Sequence, residues 1–131
     1  MRRGWELLLC AYLLLWVPLS LAGEILGALP SLHIRGAPAL LELGAHTAVA
    51  ALCATAGWMV FDRSPAAAGA AALAVIAAAG VSVQSLVWTA LPRQTAPGQH
   101  LPFAVAALAH AAFWLILIRL GRVGAADTGR S

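Results

Sequence analysis

Residues 101–120 read LPFAVAALAHAAFWLILIRL, an apolar stretch in which Arg119 is the single charged residue. A helix needs about 20 apolar residues to cross the hydrocarbon core of a bilayer. Three other stretches share this character, so the sequence predicts transmembrane spans at about residues 5–29, 39–61, 66–91 and 102–120. Because lipid offers no partner to an unpaired backbone group, each span is expected to be helical. The predicted fold is an all-α, polytopic membrane protein, with a four-helix transmembrane bundle in residues 1–120.

The overall composition supports a membrane protein. Of the 131 residues, 62% are hydrophobic and 10% are charged, whereas soluble domains carry about 25% charged residues. The eight basic residues are all arginines and are scattered over the ends and loops, without a nucleic-acid-binding motif. The sequence also shows no nucleophile paired with a base and no glycine-rich phosphate loop. It therefore predicts a lipid-embedded protein that is not an enzyme and has no nucleic-acid partner.

The distribution of arginines predicts the orientation. Proline-containing segments at 30–38, 62–65 and 92–101 separate the spans. Six of the eight arginines fall on the side that holds both termini, and Arg35 and Arg93 fall on the other. The positive-inside rule then predicts cytoplasmic N and C termini in the inner (plasma) membrane, with residues 121–131 as a flexible cytoplasmic tail. The alternative is a cleaved secretory signal, but the first apolar stretch continues beyond a typical signal core, to Leu29.

Small residues and one proline predict how the spans pack. Gly23 and Gly27 form a G-x-x-x-G motif, and residues 66–80 are rich in alanine and glycine. Such residues allow close approach of helices, here expected within the chain, with a homodimer as the alternative. Pro18 lies inside the first span and is expected to kink it and to free a carbonyl near Leu14.

Polar residues inside the apolar spans are the candidates for function. Ionisable groups in lipid are costly and usually face the interior of a bundle. The main candidates are Glu24, Glu42, His46, Gln84 and His110. Glu42 and His46 are four residues apart and so share a helix face. In the first span a residue of interest recurs every fourth position and forms one stripe: Tyr12, Trp16, Ser20 and Glu24.

A weak internal repeat leads to a haem hypothesis. An Ala-Leu-Pro triplet ends both the first and the third span, and His46 and His110 each follow a proline by eight residues. The two histidines are therefore expected at matching depth, where they could be the axial ligands of a b-type haem. Glu24, Glu42 and Gln84 would then surround the ligands or relay a proton. The simpler interpretation, which the sequence favours, is that each histidine hydrogen-bonds a neighbouring helix.

Transport is a second functional class. Glu24, beside Gly23 and Gly27, resembles the small multidrug transporters, which have four spans and a carboxylate in the first. The resemblance is limited to this feature and implies a proton-coupled carrier that uses an intramembrane carboxylate, Glu24 or Glu42. The alternative for Glu24 is a pairing with Arg35 or Arg93 in the outer loops.

A structural role is the third class. Four spans with short connections and small-residue faces suit an accessory, assembly or scaffold subunit of a larger membrane complex, which needs no chemistry of its own. The sequence favours this non-catalytic role. The alternatives are a bis-histidine electron-transfer protein that binds haem b, or a metal ion for which Glu24 and Glu42 could be further ligands, and the proton-coupled carrier.

Overall fold

A computed structural model describes residues 2–87 and 100–121 of the chain. These residues are helical and contain no strand. The first span consists of two α-helices joined by a π-helical segment, and two short helices connect it to the second span. In chain order the elements are α1 (Arg2–Ala11), the π segment (Tyr12–Trp16), α2 (Val17–Ala28), a 3-10 turn (Leu29–Ser31), α3 (Leu32–Arg35), α4 (Ala37–Phe61), α5 (Ala67–Val87) and α6 (His100–Arg119).

The four predicted apolar helices are confirmed. Stretches long and apolar enough to cross a membrane are Arg3–Ala28, Ala37–Phe61, Ala67–Gln84 and Leu101–Arg119. Their ends agree with the predicted spans to within a few residues. The segment 30–38, expected as turns, instead contains the 3-10 turn and α3. The end of the third predicted span, most of the loop after it and residues 122–131 lie outside the described part of the chain.

The alanine-rich α5 lies between α4 and α6 and packs against both. Its buried face repeats at intervals of three or four residues, as a helix requires, through Ala67, Ala71, Ala74 and Ala78. Small side chains at these positions let the neighbouring helices come close. The expectation of close packing in the third span is therefore met. On its other side, α4 packs against α1, the π segment and α2.

The outer surface of the helices is apolar. Leu41 is 76% exposed, Ile34 75% and Leu19 68%, and many other leucine, isoleucine and phenylalanine side chains point outward. Each square ångström of such surface costs about 25 cal/mol in water, and soluble monomers rarely expose large contiguous apolar patches. An apolar exterior on helices of this length is what a lipid environment requires.

The first two spans approach each other closely at Gly57 of α4. A Cβ atom at this position would lie 2.7 Å from Leu14 Cγ, so a larger residue would force Leu14 to shift. The expected contact through the G-x-x-x-G motif is not found: Gly23 and Gly27 are exposed, and a Cβ at Gly23 would meet open space. In this bundle Gly57, rather than the predicted motif, packs against the π segment.

The disturbance expected at Pro18 takes the form of the π segment. Proline has no N–H to donate to the carbonyl four residues earlier, here that of Leu14. The chain widens its turn just before this point, and the Val17 N–H bonds to the carbonyl of Tyr12, five residues back. Such π segments are uncommon and are often found at functional sites.

Candidate functional site

Glu24 of α2 and His46 of α4 meet at one end of the bundle. We call this the distal end, formed by residues 20–28, 37–46, 78–84 and 100–107. His46 Nε2 lies 2.9 Å from Glu24 Oε2, and the other ring nitrogen, Nδ1, lies 2.8 Å from the main-chain carbonyl oxygen of Glu42. The His46 side chain is 1% exposed, whereas that of Glu24 is 40% exposed. The buried histidine thus holds a carboxylate whose other side is open.

The two ring nitrogens of His46 make different contacts. A main-chain carbonyl can only accept, so His46 Nδ1 must carry a proton and donate it to Glu42 O. Nε2 lies 2.9 Å from the Glu24 carboxylate oxygen, within the range of an ion pair, but the two atoms are not aligned as a hydrogen bond. This contact is attractive when Nε2 also carries a proton, and the pair then has zero net charge.

A polar cavity of about 290 Å³ opens beside Glu24, between α2 and the π segment on one side and α5 and α6 on the other. The stripe predicted along the first span forms one wall, since all four of its members line the cavity. Ser20 lies on the wall formed by the first span, and Ser82 lies on the wall formed by α5 and α6. The polar and aromatic lining includes Tyr12, Trp16, Ser20, Glu24, Ser82 and His110.

His110 lines the cavity but does not meet His46. Its ring stands edge-on to Tyr12, with 5.6 Å between ring centroids and an interplanar angle of 83°. Within residues 2–87 and 100–121, the contacts of His46 lead to Glu24 and Glu42, and none joins the two histidines. Axial haem ligation by His46 would have to displace one of these two contacts. The haem hypothesis remains a prediction.

The other two candidates, Glu42 and Gln84, lie elsewhere. Both line a separate groove between α4 and α5, of about 680 Å³. Glu42 is 6% exposed and acts on His46 through its main-chain carbonyl. The alternative partners expected for Glu24, Arg93 and the Arg35 side chain, lie outside the part of the chain that the structure describes. In the described residues no three His, Cys, Asp or Glu side chains are grouped to hold a metal ion.

Sequence reasoning missed a second charged cluster, around Glu6. Its side chain is fully buried at the opposite, proximal end, formed by residues 3–10, 57–67 and 114–121. Glu6 Oε2 lies 3.4 Å from Arg63 Nε, in the turn after α4, and 3.8 Å from Arg3 Nη1. Glu6 lies next to the predicted start of the span and was therefore not counted among its buried groups. The available signal was the spacing of Arg3 and Glu6, three residues apart on one helix face.

The turn that presents Arg63 is strained. Arg63 has φ +56°, in the left-handed region that usually favours glycine. Its N–H bonds to Val60 O at 3.1 Å, and Ser64 N–H bonds to Met59 O at 2.9 Å, which is the pattern of a Schellman motif. A residue other than glycine at this position costs about 1 kcal/mol. The contact of its guanidinium group with Glu6 gives a physical reason for arginine here.

Comparison with known proteins gives no family for this chain. No protein-family model matches it, and no curated protein or solved structure matches it significantly.

Proposed function

We propose that the protein is a small proton-coupled membrane carrier. The polar cavity is its solute site, and Glu24, paired with His46, is its proton site. One observation carries the proposal: the carboxylate that lies 2.9 Å from a buried histidine is the same carboxylate that lines the cavity.

Coupling follows from competition for Glu24. A solute that donates a hydrogen bond to the carboxylate favours its ionised form. A proton carried by the Glu24 carboxyl group then moves to His46 or leaves. By linkage, loading of the proton on Glu24 weakens binding of the solute by the same factor. Since His46 is almost fully buried, Glu24 is the member of the pair through which protons exchange with the cavity.

The other two functional classes receive less support. The accessory-subunit role remains a prediction, but it would not require a carboxylate at a polar cavity. The haem hypothesis needs a free nitrogen on His46, but Nδ1 is hydrogen-bonded to Glu42 O and Nε2 lies 2.9 Å from the Glu24 carboxylate, which a haem would have to displace. Glu24 is the better candidate for the carrier than Glu42, since Glu42 does not line this cavity.

The test is proton movement in proteoliposomes that contain a trapped pH-sensitive dye. A pH gradient is imposed, and four solutes are added one at a time: a monoacylglycerol, a quaternary ammonium ion, a sugar alcohol and an amino acid. Protein-free liposomes give the background. At least one solute is expected to accelerate the dye response above this background in the wild-type protein.

Two matched variants make the result specific. Glu24→Gln is expected to abolish the acceleration, because an amide cannot exchange the proton. Glu42→Gln, which removes a second buried carboxyl group outside the cavity, is expected to retain it. The proposal fails if no solute accelerates the response, or if Glu24→Gln responds like the wild type.

A further inference from the structure

A second cavity joins the first and opens along the outside of the bundle. This apolar groove, of about 740 Å³, runs between α6 and the rod formed by α1, the π segment and α2. Aromatic contacts bridge its two sides: Trp5 and Phe113 have ring centroids 6.0 Å apart, and Tyr12 and Trp114 also 6.0 Å. The seam between the first and fourth spans therefore consists of rings and open space rather than close backbone packing.

The groove and the polar cavity adjoin each other. Tyr12, Trp16 and Ser20 line both of them. From Trp5 to Leu19 the groove follows the helix for about 21 Å, at 1.5 Å per residue. One leaflet contributes about 15 Å to the hydrocarbon core of a bilayer. A complete acyl chain from one leaflet fits along the groove, with its polar end at the cavity.

The hydrogen-bonding character of the cavity defines the polar end of its ligand. Ser20 Oγ donates to Trp16 O at 2.7 Å and Ser82 Oγ donates to Ala78 O at 3.2 Å, so both hydroxyl oxygens face a ligand as acceptors. The Glu24 carboxylate accepts as well, and its charge is balanced by His46, 2.9 Å away, when the imidazole is protonated. Such a site favours a head group that carries hydrogen-bond donors and no net charge.

From these observations we infer that the solute is a single-chain amphiphile with a hydroxyl-bearing, uncharged head group, which enters from the lipid through the seam between α6 and the first span. The head lies at Glu24, Ser20 and Ser82, and the chain lies in the groove. This inference rests on the proposed function and names its substrate class.

The experiment measures quenching of tryptophan fluorescence in lipid nanodiscs by a monoacylglycerol with a brominated acyl chain. Trp5, Trp16 and Trp114 all line the groove and report an occupied chain site. The matching brominated fatty acid has the same chain but an anionic, accepting head. Saturable quenching by the monoacylglycerol at a concentration about ten-fold or more below that of the fatty acid is expected, as for a difference of one to two hydrogen bonds.

Two alanines of α6 provide matched variants. Ala107 lines the polar cavity, and Ala107→Leu is expected to weaken monoacylglycerol quenching. Ala112 is exposed and lines neither cavity, so Ala112→Leu is expected to behave like the wild type. If Ala107→Leu does not fold, Ser82→Ala removes one acceptor without adding volume and is expected to weaken binding by roughly five-fold.

Equal quenching by the two brominated lipids, or quenching unchanged in both Ala107→Leu and Ser82→Ala, overturns the inference. The outcome of this experiment can be distinguished from the outcome of the carrier test. Selective monoacylglycerol binding without any solute-driven proton flux would support this site and refute the carrier. Flux driven only by the quaternary ammonium ion, the sugar alcohol or the amino acid would support the carrier and refute this substrate.

Discussion

The first span carries one glutamate at each end of the bundle, and the two have opposite surroundings. Glu6 is fully buried and faces two arginines, Arg3 and Arg63. Glu24 is 40% exposed to a cavity and faces one histidine, His46. Arginine stays protonated in proteins, so the proximal cluster is a permanent charge contact. Histidine exchanges its proton near neutrality, so the distal pair is the one that can respond to protons.

This contrast indicates that the partner decides what a carboxylate in an apolar helix does. The proximal cluster links the start of α1 to the turn after α4 through permanently charged groups. The distal pair fastens α2 to α4 beside an open cavity. We therefore expect proximal substitutions to change stability and distal substitutions to change function.

The largest effect is expected for Arg63→Gln. The buried Glu6 carboxylate would lose its nearer cation, and removal of one partner of a buried pair costs about 3 kcal/mol. Denaturant titration in detergent micelles measures the free energy of unfolding. Arg119→Gln, at an exposed arginine of the same end, is the control. The double variant Glu6→Gln/Arg63→Gln is expected to recover part of the loss, and equal stability of Arg63→Gln and Arg119→Gln would contradict the fastening role.

A smaller loss of stability is expected for Gly57→Ala. This variant tests the helix contact at Leu14, which lies between Glu6 and Glu24 along the first span. The added Cβ would lie 2.7 Å from Leu14 Cγ, and overpacking of this kind costs about 2 kcal/mol. Gly44→Ala, in the same helix with open space around it, is expected to raise stability by up to about 1 kcal/mol. Thermal unfolding measures both. If Gly57→Ala raises the stability as Gly44→Ala does, helix propensity, rather than contact with Leu14, decides the result.

Arg3→Lys sharpens the description of the proximal cluster. Arg3 stacks on Phe61 at 5.3 Å and donates from Nη1 to Phe61 O at 3.4 Å. Lysine keeps the charge but loses the planar group, with an expected cost of about 0.5–1 kcal/mol. The same denaturant titration measures it. A loss as large as that of Arg63→Gln would mean that geometry, and not charge, dominates at Glu6.

The smallest change in stability is expected for Glu24→Gln. The amide still contacts His46, and the pair is half open to the cavity, so the cost is expected to stay below about 0.5 kcal/mol. Glu6→Gln is the matched variant and is expected to cost more. If unfolding measurements show that Glu24→Gln costs more stability than Glu6→Gln, the assignment of a stabilising role to Glu6 and a functional role to Glu24 is wrong.

The fold could be predicted from sequence because hydrophobic length alone identifies the four helices. The stripe of Tyr12, Trp16, Ser20 and Glu24 was also predictable from its spacing, and it lines the cavity. The partner of Glu24 could not be predicted in this way. Helix periodicity shows which residues share a face, but the rotation of one helix against another depends on packing over the whole bundle. The sequence therefore predicts His110 or a polar group of a neighbouring helix, rather than Glu24, as the partner of His46.

Glu6 and Gly57 are two further positions at which the sequence does not identify the contact that the residue makes. Glu6 lies where an interfacial position was expected, and only the fold of the turn that carries Arg63 brings its partner to it. Gly57 has no second glycine four positions away to form a motif, yet it lies in close contact with Leu13 and Leu14. Sequence motifs describe frequent solutions, and this bundle uses a less frequent one.

The π segment also bears on how the length of this chain can vary. In a regular helix, residues 6 and 24 would lie on one face, since eighteen residues make about five turns. A π segment takes up one extra residue by widening locally, so α2 keeps the helical phase of a chain one residue shorter. Loss of one residue within Tyr12–Trp16 would thus leave Glu24 facing His46. The same deletion inside α2 would rotate Glu24 away by about 100°. In this span, a one-residue deletion is expected to preserve the helical phase at the segment that lies beside the cavity but not in the regular helix beyond it.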